Sequence, residues 1–174
     1  GYYNVNRYLN PTNLCWVDCA LCAWARKPGV DGGYTMSIEE AVAESAAGWT
    51  DGITELHIVG GLHPSLPYSW YLDLLRALKE RFPGIHLKAW TMVEIDWIAR
   101  VAKQDIVTVI RELRDAGMDS CPGGGAEIFA AVRDRQHRVA PTHEVYGRFS
   151  LWSNAQREHA VTLLREQDEV SFVG

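Results

Sequence analysis

Leu56-His57-Ile58-Val59-Gly60-Gly61 is a short, apolar-rich run stopped by two glycines, the pattern of a buried strand that leads into a loop. Beyond it, Tyr71, Leu74, Leu75, Leu78 and Phe82 recur at helical spacing. Pro83-Gly84 ends that helix by removing a backbone donor and permitting a reversal. Ile85 to Met92 reads as the next strand. Strand, helix and strand in so short a span make a βα unit, and units of this kind build a parallel sheet.

The flanking sequence repeats the alternation. Val5 to Leu9 reads as a first strand. Ser37-Ile38-Glu39-Glu40 has the spacing of a capping box, and Ile38, Ala41, Val42, Ala46 and Trp49 then follow at helical intervals. Asp105 caps a helix whose apolar face is Ile106, Val109, Ile110 and Leu113, with Gly117 placed to end it. Met118 to Cys121 reads as a brief strand before Pro122-Gly123-Gly124-Gly125. Farther on, Ala126 to about Arg135 reads as helix, Arg148 to Ser153 as strand and Gln156 to Glu166 as helix. Such a sheet is either an open doubly wound one or part of a barrel. In both, the loops after the strand C-terminal ends form the site.

The chain has 174 residues and 47% hydrophobic content, enough for one sizeable core, and residues 1–174 are read as a single domain. Seventeen Lys and Arg against 22 Asp and Glu leave a formal charge of -5, with no basic stripe for a phosphate backbone, so nucleic acid is not an expected partner. No apolar run approaches the roughly 18 residues of a membrane span, and the N-terminus lacks the pattern of a signal peptide. The expectation is a cytoplasmic protein. The sequence opens at Gly1 directly into Tyr2-Tyr3-Asn4-Val5, which reads as a fragment.

Cys15, Cys19 and Cys22 follow the first strand and Asn10-Pro11-Thr12-Asn13, where a βα barrel keeps its chemistry. Cys121 lies far away. Clustered thiols in a reducing compartment point to ligation rather than disulfides. Three thiolates on one loop hold three irons of a 4Fe–4S cluster and leave the fourth iron open for a ligand. Two other readings compete: three small buried hydrophobes, or a zinc site completed by a His. Structural zinc usually draws two closely spaced Cys pairs, and the chain has one.

Cys15-x-x-x-Cys19-x-x-Cys22 is similar to the motif of the radical S-adenosylmethionine superfamily. Asn10-Pro11-Thr12-Asn13, His57-Ile58-Val59-Gly60-Gly61-Leu62-His63-Pro64, Thr91-Met92-Val93-Glu94-Ile95 and Pro122-Gly123-Gly124-Gly125-Ala126-Glu127-Ile128-Phe129 resemble aminofutalosine synthase of menaquinone biosynthesis. The resemblance is close from Tyr2 to about Arg133 and patchy after it. Leu21 stands where the superfamily commonly has an aromatic residue, and Ser153-Asn154-Ala155 runs directly into Gln156 where the family has more chain. The resemblance therefore implies a parallel (β/α) partial TIM barrel of the radical SAM type, incomplete in its C-terminal half. It implies a 4Fe–4S cluster, with S-adenosyl-L-methionine as co-substrate and flavodoxin or ferredoxin as electron donor. In that family the 5′-deoxyadenosyl radical adds to an aryl enol ether, 3-[(1-carboxyvinyl)oxy]benzoate, and rearrangement with loss of the carboxyl group gives 6-amino-6-deoxyfutalosine. Relatives acting on dehypoxanthine futalosine or a deazaflavin precursor, and a non-catalytic iron–sulfur fragment, are the alternatives. With the barrel incomplete, cofactor cleavage uncoupled from adduct formation is expected.

Gly60 and Gly61 let backbone groups approach a ligand without a Cβ in the way, and the resemblance assigns that turn to the methionine end of the cofactor. Gly123, Gly124 and Gly125 precede a helix start whose free amides suit ribose or a carboxylate, and Glu127 sits in its first turn, where it also complements the helix dipole. His63, just after the first turn, and Glu94, just after the third strand, are candidates to steer a proton or hold a hydroxyl. Trp24 and Trp90 are expected to be core aromatics.

Overall fold

Three short strands, β1 (Asn6–Leu9), β2 (Glu55–Ile58) and β3 (His86–Ala89), pair in parallel in the order β1-β2-β3 in the computed structural model, which describes residues 3–17 and 22–123. The register places Asn6 beside Glu55 and Glu55 beside His86, with Tyr8, His57 and Lys88 forming the next row on the same face. Helix α1 (Ile38–Ala46) lies between β1 and β2 in the chain, and α2 (Tyr68–Arg81) between β2 and β3. Helices α3 (Met92–Ala102) and α4 (Ile106–Asp115) follow β3.

Alternation along the strands decides which kind of sheet this is. Leu9, Leu56, Ile58, Leu87 and Ala89 project to one side, where they join one core with Ala41 of α1, Leu74, Leu75 and Leu78 of α2, Ile95 and Ile98 of α3, and Val109, Ile110 and Leu113 of α4. A doubly wound sheet reverses its strand order and carries helices on both faces. Here the order is sequential and all four helices pack on one face, as in the wall of a barrel.

The opposite face of the same strands is polar. Tyr8 stacks on His57 with ring centroids 4.6 Å apart, Lys88 Nζ lies 3.1 Å from Glu55 Oε1, and His86 Nε2 is 2.7 Å from Ser120 Oγ. Burial pushes the Glu55 carboxyl up, but the Lys88 ammonium outweighs it and holds the group below its ordinary range.

The expected helices at Ser37, Tyr71 and Asp105 are all present, and Ser37 closes a capping box with Glu40. The strand read as Ile85 to Met92 is shorter. It ends at Ala89, Trp90 takes a left-handed φ of 59°, and Met92 already begins α3. Thr91 caps that helix and forms a second capping box with Glu94, so Glu94 sits on a helix rather than in a loop after the strand. Met118 to Cys121 contributes one parallel bridge, Lys88 to Ser120, in place of a strand. The segments read as helix from Ala126, strand from Arg148 and helix from Gln156 lie outside the described residues. No helix among the described residues is long and apolar enough to cross a membrane.

Because only one face of the sheet is packed, truncations on its two sides separate. Leu56→Ala, at a fully buried position of the central strand, should destabilise the chain by about 3 kcal/mol. Tyr8→Ala on the polar face should cost less than about 1 kcal/mol. Urea denaturation followed by tryptophan fluorescence measures both.

Candidate active site

The cysteine loop leaves the C-terminal end of β1 and is braced at its base. Asn13 N–H donates to Tyr34 O at 3.3 Å, Asn13 Oδ1 accepts the Tyr34 N–H at 2.8 Å, and Asn13 Nδ2 donates to Gly32 O at 2.8 Å. Thr12 Oγ1 donates to Tyr34 O at 2.9 Å, and both side chains are buried. Buried polar groups are retained when every donor and acceptor is met, and these two are met by the far strand of the loop. Above them, Arg26 N–H donates to Asn13 O and Cys15 N–H to Arg26 O. Lys27 Nζ closes the loop from the other side on Trp16 O at 2.6 Å.

The Gly60-Gly61 turn at the end of β2 is pressed against this brace. Gly61 N–H donates to Thr12 O at 2.9 Å, and a Cβ on Gly61 would collide with the Leu14 carbonyl. Leu62 N–H then donates to Cys15 Sγ at 3.4 Å, while Leu62 O accepts the Trp16 N–H at 2.7 Å. Val17, Leu62 and Val93 form a small apolar cluster with Cys15 and Trp97 packed against it. Burial accordingly raises the Cys15 thiol, the Leu62 and Val17 amides draw it back down, and the neighbouring Cys22 raises it again. Cys22 is exposed, and neither thiol is in a disulfide. Cys19 lies outside the described residues. Among the described residues no third His, Cys, Asp or Glu joins Cys15 and Cys22, so no His completes the zinc alternative there.

Glu94 reaches the turn from α3. Its Oε2 accepts the Thr91 N–H at 2.8 Å and the Thr91 hydroxyl at 2.7 Å, and its Oε1 accepts the Gly60 N–H at 2.7 Å. Burial pushes the carboxyl up to about 7 against the pull of those donors. Beside it, a narrow cleft with room for little more than a water molecule is lined by Gly60, Gly61, Tyr71, Trp90, Glu94 and Trp97 among others. Tyr71 Oη and Trp90 Nε1 are buried there without a hydrogen-bond partner among the described residues. His63 stands apart from the cleft. Its Nδ1 accepts the Ser65 N–H at 3.1 Å, its carbonyl accepts Trp97 Nε1–H at 2.9 Å, and burial lowers its pKa. Cys121 is buried, donates to Trp90 O at 2.8 Å and is pushed up to about 12 by burial, so it is a packed thiol. Gly123 is described; Gly124, Gly125 and Glu127 lie outside the described residues.

No family model matches the chain. It is 44% identical over 122 residues to the aminodeoxyfutalosine synthase of Thermus thermophilus, covering 70% of this chain and 33% of that protein. It is 48% identical over 138 residues to that of Streptomyces coelicolor, covering 79% and 35%. Over the matched span the chain is similar in sequence to aminodeoxyfutalosine synthases. It spans about a third of the length of these curated relatives. The cyclic dehypoxanthine futalosine synthase of Halalkalibacterium halodurans is 38% identical over 154 residues, covering 88% of this chain and 40% of that one. Among solved structures, the hydrogenase maturase HydG superposes with a TM-score of 0.66 at 15% identity, covering 90% of this chain and 33% of its own, a likeness of fold.

Cys15 and Cys22 fit the donor set of the implied 4Fe–4S cluster. Cys15 and Cys22 are free thiols on one braced loop, and a sulfur that accepts a backbone N–H is stabilised as a thiolate ligand. The cleft is edged by Gly60 and Gly61, and two of its lining residues, Tyr71 and Trp90, carry buried polar atoms without a partner among the described residues. Of the groups that brace the loop, Thr12 and Asn13 belong to the Asn10-Pro11-Thr12-Asn13 motif, whereas Arg26 and Lys27 carry no pattern in the sequence that marks them.

Two outcomes follow. Gly61→Ala should lower iron content after anaerobic reconstitution by more than half and destabilise the chain by about 2 kcal/mol, whereas Gly84→Ala, which faces open space, should do neither. The folded pKa of Glu94 lies above its unfolded value, so the stability it contributes is full below the unfolded pKa and is lost as pH rises through about 7. Between pH 5 and 8 the chain should lose up to about 3 kcal/mol more than Glu94→Gln does, read from urea midpoints at each pH.

Proposed function

We propose that this chain catalyses, as a radical SAM enzyme, the joining of the 5′-deoxyadenosyl group of S-adenosylmethionine to 3-[(1-carboxyvinyl)oxy]benzoate, with release of methionine and rearrangement with loss of the carboxyl group, giving 6-amino-6-deoxyfutalosine. The observation that carries the reading is the Leu62 amide on Cys15 Sγ, which couples the cysteine loop to the Gly60-Gly61 turn at the C-terminal end of the parallel sheet. When bound by Cys15, Cys19 and Cys22, a 4Fe–4S cluster supplies the single electron that opens the sulfonium of S-adenosylmethionine.

The chain's own part is placement and exclusion. Val17, Leu62 and Val93 keep water from one side of Cys15. Gly60 and Gly61 leave a backbone edge without side chains beside the cleft, and Tyr71 Oη and Trp90 Nε1 offer donors to a polar group lodged there. The His63 Nδ1 is occupied by Ser65 N–H, which leaves Nε2 as the nitrogen that carries the ring proton. Flavodoxin or ferredoxin is the proposed electron donor, and the cytoplasm the proposed location.

Anaerobic incubation with dithionite, S-adenosylmethionine and the enol ether, read by mass spectrometry, tests the assignment. The expected outcome is cofactor cleavage that Cys15→Ala abolishes, together with the mass of the nucleoside adduct. A chain that takes up a full cluster yet cleaves no cofactor refutes the reading, and 5′-deoxyadenosine without adduct refutes the substrate.

A further inference from the structure

We propose that Glu94 is a positioning residue for the cysteine loop, acting through the Gly60-Gly61 turn, and not an acid or base of the reaction; its consequence for the loaded cofactor rests on the function proposed above. A capping box needs the glutamate side chain only to reach back to the N-cap backbone, and the bond from Thr91 N–H to Oε2 meets that need. The bond from Gly60 N–H to Oε1 has no part in capping. It spans 34 positions in the chain and ties the start of α3 to the end of β2.

What lies beyond Gly60 gives that tie its meaning. Gly61 N–H holds Thr12 O, Leu62 N–H holds Cys15 Sγ, and Leu62 O holds the Trp16 N–H. One carboxylate therefore fixes one end of a three-residue segment, and the other two residues grip the cysteine loop before, at and after Cys15. Glu94 is 7% exposed, so water cannot readily replace it. Both of its oxygens are engaged by Thr91 and Gly60, which leaves the group occupied rather than poised toward a reactant.

The test is hydrogen exchange resolved to single amides on the full chain, with and without its reconstituted cluster. Glu94→Gln keeps the size of the side chain but turns one acceptor into a donor that faces a donor. Glu94→Asp keeps the charge but draws the carboxylate back by one methylene, out of reach of Gly60. In both variants the Gly61 and Leu62 amides, which Glu94 does not touch, should exchange about tenfold faster, the usual consequence of losing a charged hydrogen bond. The Leu75 and Leu87 amides, deep in the core, should keep their wild-type rates. Acceleration confined to the first turn of α3, or at no amide at all, would overturn the proposal and leave Glu94 a helix cap. In Glu94→Asp with a full iron complement, S-adenosylmethionine should bind about tenfold more weakly, by equilibrium dialysis. If the wild-type chain takes up no cluster, the proposed function fails, while the exchange rates still decide the role of Glu94.

Discussion

The approach of the Gly61 backbone to the Leu14 carbonyl is the contact around which the rest of the site is arranged. No side chain fits between the two segments, so the turn after β2 and the loop after β1 meet backbone to backbone. That contact aligns three hydrogen bonds in a row, from Gly61 to Thr12, from Trp16 to Leu62 and from Leu62 to Cys15. The parallel pairing of β1 with β2 makes it possible, because parallel neighbours bring both C-terminal ends to the same edge.

The third strand joins through a backbone conformation that costs of order 1 kcal/mol. Trp90 at φ 59° turns the chain out of β3 at once, which delivers Thr91 as a cap and Glu94 toward Gly60 within one helical turn. The bend is held on three sides: Trp90 N–H donates to Ile58 O, its carbonyl accepts the Cys121 thiol, and its ring meets the edge of Tyr71. Strain of this kind persists where neighbours over-determine it.

Local grammar was legible in the sequence and nonlocal fastening was not. Helices α1, α2 and α4 could be read because each pairs a clear apolar stripe with a cap or a stop, Ser37 with Glu40, Pro83-Gly84, and Asp105 with Gly117. Helix α3 escaped because apolar Val93 and Ile95 extend the look of the preceding strand, although Thr91-x-x-Glu94 carried the capping spacing. The cysteines and the two glycines were found from their spacing and position. What the glycines touch was not, since Gly61 meets Leu14 across a long stretch of chain and no local pattern encodes that meeting. Thr12 and Asn13 stood out only as part of the Asn10-Pro11-Thr12-Asn13 motif, and what they brace was not legible, because their partners at Gly32, Tyr34 and Thr35 are supplied by the returning loop.

The strands carry their two tasks on alternate residues. Leu56, Ile58, Leu87 and Ala89 hold the helices, while Tyr8, His57 and His86 look the other way and contribute little to packing. A substitution on the helix side endangers folding, and on the polar side one at Tyr8 or His57, away from the buried Glu55–Lys88 pair, mainly changes what that face presents. Such a scaffold can be re-tooled: the chemistry it displays drifts by single substitutions while its foldability is conserved. A period of two along a strand is enough to uncouple the inheritance of a shape from the inheritance of a specificity.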